Sequence, residues 1–346
     1  MKHLVIVSVM VAALLAAPLG GASPYFLITP GGTYDVGYDY GSRLSIPDEY
    51  RKPMGRIAFT AVYETEASWT EVLHARLQGQ AEIVPAVYIR PPGTSQEQVN
   101  ATNQRLIDES KPIAAAVGVR AAGFPVSVTG QGARVESVLD GMPAQGVLQV
   151  GDIIVRVDGQ PVTTTDSLIQ ATTRHAVGDH VMLEVHRDDQ DLSLDVVTAE
   201  SPSEPGRPIV GITVSTYMFD IQMPFPVDIQ SDNVGGPSAG FIFALAVLDG
   251  VTDGDLTRGY YVAGTGTIAQ DGTVGAVGGA AEKALAAEEA GAQIFLVPKD
   301  DAAEAYRWVH TIQIIPVATF DEAIHALCAL PPGPNPASAD VPTPCE

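Results

Sequence analysis

The chain has 346 residues, 46% of them hydrophobic, which suits two or three domains with buried cores and leaves no long polar tract of the disordered kind. Its formal charge of -22 argues against nucleic acid as a partner, because the lysines (Lys2, Lys52, Lys111, Lys283, Lys299) and the arginines form no cluster. The acidity suits solubility, or surroundings rich in salt or cations.

Lys2 followed by the apolar run Leu4–Leu19 has the form of a secretory targeting segment. Gly20-Gly21-Ala22 offers cleavage after Ala22, yet apolar character resumes at Tyr25–Ile28. Residues 1–28 are therefore read as a signal peptide or a transmembrane anchor, with the uncleaved anchor favoured. The body is expected outside the cytoplasm, membrane-tethered by one span, or secreted if the segment is removed.

Residues 29–117 read as an α/β segment: a strand at Ile57–Tyr63, a serine-capped helix over Ser68–Leu77, an extended Ile83–Ile89, and a helix from Ser95 to about Val117 that Pro112 kinks or divides. From about Gly118 the texture changes to short β-branched runs between glycine turns, then a helix over Thr165–His175 and two further strands. Residues 201–208, rich in Ser and Pro, read as a linker. Residues 209–330 alternate strand and helix, with helices at Ala239–Leu248 and Ala280–Ala290 and a buried strand at Ile294–Pro298. Residues 331–346 form a Pro-rich tail, expected to be disordered. Cys328 and Cys345, the two cysteines, either join that tail to the last helix or stay as thiols. The seven histidines show no ligand spacing, so neither a metal nor any other cofactor is expected.

The chemistry concentrates in Gly235-Gly236-Pro237-Ser238-Ala239-Gly240 and in Gly278-Gly279-Ala280-Ala281-Glu282-Lys283. Small residues around Ser238 let a substrate backbone approach, and N–H groups of a first helical turn can hold an oxyanion, each such donor contributing about 3 kcal/mol. Serine at its ordinary pKa needs a base. A lysine can serve only when neutral, which requires a dry setting such as an alanine-rich helix provides. The same serine block also fits the nucleophile elbow of α/β-hydrolases, with His310 or His325 as base and Asp300, Asp301 or Asp321 as its orienter. A third reading is an inactive peptide-binding scaffold.

Two resemblances bear on this choice. Residues 118–200, with Val135-Glu136-Ser137-Val138, Gly141-Met142-Pro143-Ala144 and Leu148 through Gly151-Asp152 to Asp158-Gly159-Gln160-Pro161-Val162, resemble a PDZ domain. That resemblance implies peptide capture by strand addition, with Gly123, Phe124, Pro125 and Val126 at the position of the carboxylate-binding loop; Pro125 departs from the usual pattern and removes one N–H. Residues from Asp228 to Lys299 resemble the proteolytic domain of the Lon family of Ser-Lys endopeptidases, through Gly236–Gly240, Gly278–Lys283, Thr265-Gly266-Thr267-Ile268 and Phe295–Pro298. It implies Ser238 as nucleophile, Lys283 as base and Thr265 as a hydrogen-bond partner of the lysine, with Gly236, Pro237 and Ala239 shaping the turn. Gly235 stands where the family has an acid, and Ala281 where it has a first lysine.

The order of segments is similar to that of YlbL-like secreted or membrane-anchored proteases. The implied architecture is an α/β (α+β) Lon-type protease domain, a β-rich PDZ domain and an N-terminal signal or anchor helix, with residues 29–117 possible as part of the protease domain. No lysine follows a glycine in these residues, so they hold no phosphate-binding P-loop. ATP-independent cleavage of polypeptides is expected, and the family implies a hexameric ring.

Overall fold

The computed structural model describes residues 21–345 apart from 38–42, 80, 92, 189, 202–205, 218–219, 233 and 335–341. The chain divides into two compact units, one made of residues up to Pro125 together with those from Met223 onward, the other of Val126–Gln222.

In the larger unit, strand β1 (Ala22–Asp35) pairs antiparallel with β2 (Arg56–Ser68), from Ala22 opposite Ser68 to Asp35 opposite Ala58, with register shifts between Ala22 and Phe26 and between Pro30 and Thr33. Helix α1 (Trp69–Gln78) follows at once. Ser68 and Glu71 form a reciprocal capping box at its start, and Gly79, at φ 73, closes it in the left-handed region. Strand β3 (Glu82–Pro85) joins the free edge of β1, and residues 86–89 turn into one helical turn rather than continuing the expected extended run. Helix α2 (Gln96–Ala121) opens on a second capping box, Ser95 with Gln98. It passes through Pro112 undivided and ends four residues beyond the expected Val117. The carbonyl that Pro112 orphans belongs to exposed Asp108, where water can satisfy it.

The smaller unit contains β4 (Ser127–Thr129), β5 (Ala133–Val138), β6 (Ile153–Val157), α3 (Thr165–Thr172), β7 (His180–Arg187), β8 (Gln190–Val197), β9 (Ile212–Thr216) and β10 (Asp220–Gln222). Its main sheet runs in the order β8-β7-β6-β5-β9, and β10 pairs with β4. Val135, Ile154, Val157, Leu168, Val181, Leu183 and Val185 form its core. The expected boundary at 209 is therefore misplaced. Residues 212–216 return to this unit and pair antiparallel with β5, because β5 otherwise offers an open ladder of N–H and C=O groups.

The chain then re-enters the larger unit with α4 (Gly240–Val251), β11 (Tyr261–Gly264), α5 (Ala280–Glu289), β12 (Ile294–Pro298), β13 (Gln313–Val317) and α6 (Phe320–Cys328). The sheet order is β13-β12-β11-β2-β1-β3, parallel from β13 to β2 and antiparallel beyond. On β2, Ala58 packs with Ala280, Ala284 and Ala287 of α5, while the next residue, Phe59, meets Phe243 of α4 edge to face. Adjacent strand residues point to opposite faces, so α5 and α4 cover the two sides of the sheet. Every residue of α4 is buried. Helix α2 packs on α4 through Gly118, where a Cβ would sit 2.6 Å from the Ala244 carbonyl oxygen. Residues 22–121 are thus as much part of this unit as the segment after 223.

One assignment is corrected. Tyr25–Ile28 does not extend an apolar helix; it lies in β1, with Phe26 opposite Glu66 and Ile28 opposite Glu64, and Phe26 and Ile28 are buried in the core. Residues 1–20 lie outside the described residues. Among those described, no helix is long and apolar enough to cross a membrane. At the other end Cys328 and Cys345 form a disulfide, Cα atoms 5.4 Å apart; of the tail expected to be disordered, 335–341 and 346 lie outside the described residues.

Candidate active site

Gly236 has φ 86 and ψ 152, a region that essentially only glycine occupies. This lets the chain turn sharply into the 3-10 turn Pro237–Ala239, which leads into α4. Pro237 at the first position has no N–H to orphan, and the Ser238 N–H is the first donor of the turn. The turn is fastened from two sides. The Gly236 N–H donates to the Asn103 carbonyl on α2 at 2.7 Å, and the Ser238 carbonyl accepts from the Gly266 N–H at 2.7 Å. The Phe241 N–H donates back to the Gly266 carbonyl at 3.0 Å.

Lys283 sits in the second turn of α5, which begins after Gly279 at φ 67 and ψ 38. A Cβ at Gly279 would lie 2.9 Å from Val62, so glycine serves both the left-handed backbone and the close approach to β2. Lys283 is 3% exposed, and its Nζ donates to Ser238 Oγ at 3.1 Å. Burial lowers its pKa to about 8, against the pull of Asp301, Glu64, Glu282 and Glu304, which favour the ammonium. At neutral pH a usable fraction of the amine is therefore unprotonated.

Ser238 and Lys283 open into a cleft of about 730 Å³. Thr60–Glu64 of β2, Gln96, Asn100, Asn103 and Gln104 of α2, the glycine block and Ala276–Gly278 contribute its walls. Gly236, Pro237 and Ala239 line it beside Ser238.

Thr265 is placed differently from the implied role. Its fully buried hydroxyl donates to the Ser238 carbonyl at 3.0 Å, not to the lysine. It holds the backbone of the nucleophile. Gly235 explains its own departure from the family pattern: a Cβ there would lie 2.9 Å from Asn103 Cβ, so α2 occupies the space an acidic side chain would need. The hydrolase alternative finds no geometry. His310 and His325 are exposed, neither lines the cleft, and Asp301 accepts from the Val277 N–H at 2.8 Å.

The loop expected to hold a peptide carboxylate is also corrected. The Gly123 N–H donates to Arg120 O at 2.9 Å and the Phe124 N–H to Val119 O at 3.2 Å, closing the end of α2. The Phe124 ring packs against Tyr50 and Phe225, with centroids 6.0 and 5.1 Å away. Pro125 has no N–H, so of the four residues only Val126 keeps a donor not committed to that helix end.

Among the described residues, the buried acids Asp249 and Glu282 carry carboxyls that nothing in the sequence pattern marks. Asp249 accepts from the Gly55 and Leu256 N–H groups, and burial pushes its carboxyl up to about 7. Glu282 is fully buried beside Lys283 in sequence, and burial pushes it to about 7 as well. Neither could be found from local pattern, since Gly55 lies 194 residues from Asp249 and Glu82 lies 200 from Glu282.

Residues 219–329 match the family model of the Lon protease (S16) C-terminal proteolytic domain, and residues 120–198 match that of the PDZ domain. The chain carries a Lon-type serine peptidase domain and a PDZ domain. Lon protease 2 of Bacillus subtilis (strain 168) is 32% identical over 114 residues, 33% of this chain and 20% of its own length. Lon protease of Chloroflexus aggregans is 34% identical over 102 residues, 28% of this chain and 12% of its own length. The chain thus spans a fifth or less of these curated relatives. The crystal structure of the PDZ domain of an SdrC-like protein from Listeria monocytogenes is similar at 31% identity, covering 25% of this chain and 92% of that one, with a TM-score of 0.24. The Lon-type match spans Ser238, Thr265 and Lys283 together.

Proposed function

We propose that this chain is an ATP-independent endopeptidase that cleaves polypeptides with Ser238 as nucleophile and Lys283 as general base. The observation that carries the reading is the 3.1 Å hydrogen bond from a lysine 3% exposed to a serine that opens on the cleft. Ser238 Oγ attacks the scissile carbonyl carbon as its proton passes to neutral Lys283 Nζ. The first-turn N–H groups hold the oxyanion. Lys283 then protonates the leaving amine, and in the second half it takes a proton from the water that releases the acyl group.

The PDZ domain positions polypeptide substrates by strand addition, without carboxylate capture by residues 123–126. The body works outside the cytoplasm, tethered or released through residues 1–20. Lys2, the apolar run after it and the Cys328–Cys345 disulfide favour that compartment. A hexameric ring is the proposed assembly, to be tested by size measurement on the protein lacking residues 1–20.

The deciding experiment measures cleavage of an unfolded protein without nucleotide. Ser238→Ala and Lys283→Ala are each expected to abolish it, while His310→Ala and His325→Ala leave it intact. Activity that survives Lys283→Ala and falls with either histidine would overturn the dyad.

A further inference from the structure

Glu82 at the start of β3, Glu282 in the first turn of α5 and Glu304 in the helical turn Ala302–Ala305 bring one carboxylate oxygen each within 4.8 Å of one another. Glu282 is 0% exposed, while the other two are half-buried. The Glu282 carboxylate accepts the Glu82 N–H through Oε1 at 2.9 Å, but its Oε2 has no partner. Glu304 Oε1 is likewise buried without one. Among the described residues none of the three has a salt-bridge partner; the charge of exposed Arg307 bears on Glu82 only through space. Lys283, whose ammonium Glu282 and Glu304 favour, likewise acts on them only through space, so two buried carboxylate oxygens lie without a direct partner.

We propose that Glu82, Glu282 and Glu304 form a binding site for a hard divalent cation, best filled by Ca²⁺. The spacing fits: oxygens bound to one Ca²⁺ at about 2.3–2.6 Å lie at most about 5 Å apart. The donor set fits too, since it is all oxygen and contains no histidine or thiol of the kind that selects zinc. Its three ligands come from separate elements, so the remaining positions are open to water, which Ca²⁺ tolerates. Two unpartnered buried oxygens are what distinguish this cluster from the acids scattered over a surface of net charge -22. The sequence concealed the site because its ligands lie at 82, 282 and 304, with no local spacing to read. A bound cation ties β3 to the first turn of α5, the helix that carries Lys283.

The test uses the full chain carrying Ser238→Ala, which removes self-cleavage and makes the result independent of the peptidase reading. Thermal unfolding is followed in EDTA and in CaCl₂. A hundredfold excess over Kd is expected to raise Tm by about 5–10 °C. In the Glu82→Gln/Glu304→Gln double variant that rise disappears, while Tm in EDTA does not fall because like-charge repulsion is relieved. Calorimetric titration of the single Glu304→Gln variant, whose side chain is only half-buried, gives a Ca²⁺ affinity at least tenfold weaker. No Ca²⁺ response in the parent, or an undiminished response in the variants, overturns the proposal.

Discussion

Two turns built from glycine and proline, Gly235–Gly240 and Gly123–Val126, look alike as sequence and end in opposite roles. In the first, the backbone is tied down by outward-facing partners: the Gly236 N–H meets Asn103, and the Ser238 carbonyl meets Gly266 and Thr265. That leaves the Ser238 hydroxyl facing Lys283 and the cleft. In the second, the Gly123 and Phe124 N–H groups are taken by the preceding helix and Phe124 is locked into an aromatic cluster. The lesson is that a glycine turn becomes a site only when other groups hold its backbone in place and its reactive side chain stays open to the cleft.

The contrast can be broken first at the dyad. Lys283→Ala, or Lys283→Met to preserve volume, is expected to lower kcat by about 10⁴-fold or more, read on an unfolded protein substrate. The pH profile comes next. With Lys283 at about 8, kcat/KM should rise about tenfold per pH unit below 8 and level off above it. A profile that breaks near 6 would point to a histidine instead.

Gly236→Ala forces a side chain into a backbone region at φ 86 and ψ 152, a strain of about 1–3 kcal/mol. It should reduce kcat by roughly 10–100-fold, whereas Gly123→Ala, strained in the same way at φ 84 but not part of the cleft, should leave kcat unchanged. The smallest effect is on Phe124. Phe124→Ala should lower the unfolding free energy by about 2–3 kcal/mol, at or below the low end for a core phenylalanine because the ring is only half-buried. Peptide affinity should not change, as calorimetry would show.

Stability should follow pH in the opposite sense to activity. Asp249 has its carboxyl raised to about 7, so between about pH 4 and 7 the folded chain binds a proton the unfolded chain has lost. The unfolding free energy contributed by this group should fall as pH rises through that window. Denaturant melts at several pH values, repeated on Asp249→Asn, measure the slope.

Much of the site was legible because its parts are short and local: a serine block that needs glycine backbone, and a lysine on an alanine-rich helix. The partner of Thr265 was not, since it depends on how β11 ends against the serine turn. Phe124 misled because its packing partners, Tyr50 and Phe225, are distant in sequence. The apolar run Tyr25–Ile28 reads the same whether it faces lipid or a protein core, and only its pairing with β2 decides. The boundary at 209 failed for a similar reason, as the need of β5 for an edge partner leaves no mark on residues 212–216.

The start of β1 bears on where the proposed leader could be cut. The Trp69 N–H donates to the Gly21 carbonyl at 3.2 Å, and Ala22 lies opposite Ser68, so the sheet begins at the residues where the leader would be cut. No slack separates the two. A processing enzyme acting after Ala22 would need that segment as a loose, extended strand, which the finished sheet denies it. If residues 1–20 are a leader cut at this point, as proposed, the cut has to come before β1 docks on β2, because the closed sheet holds the segment in place.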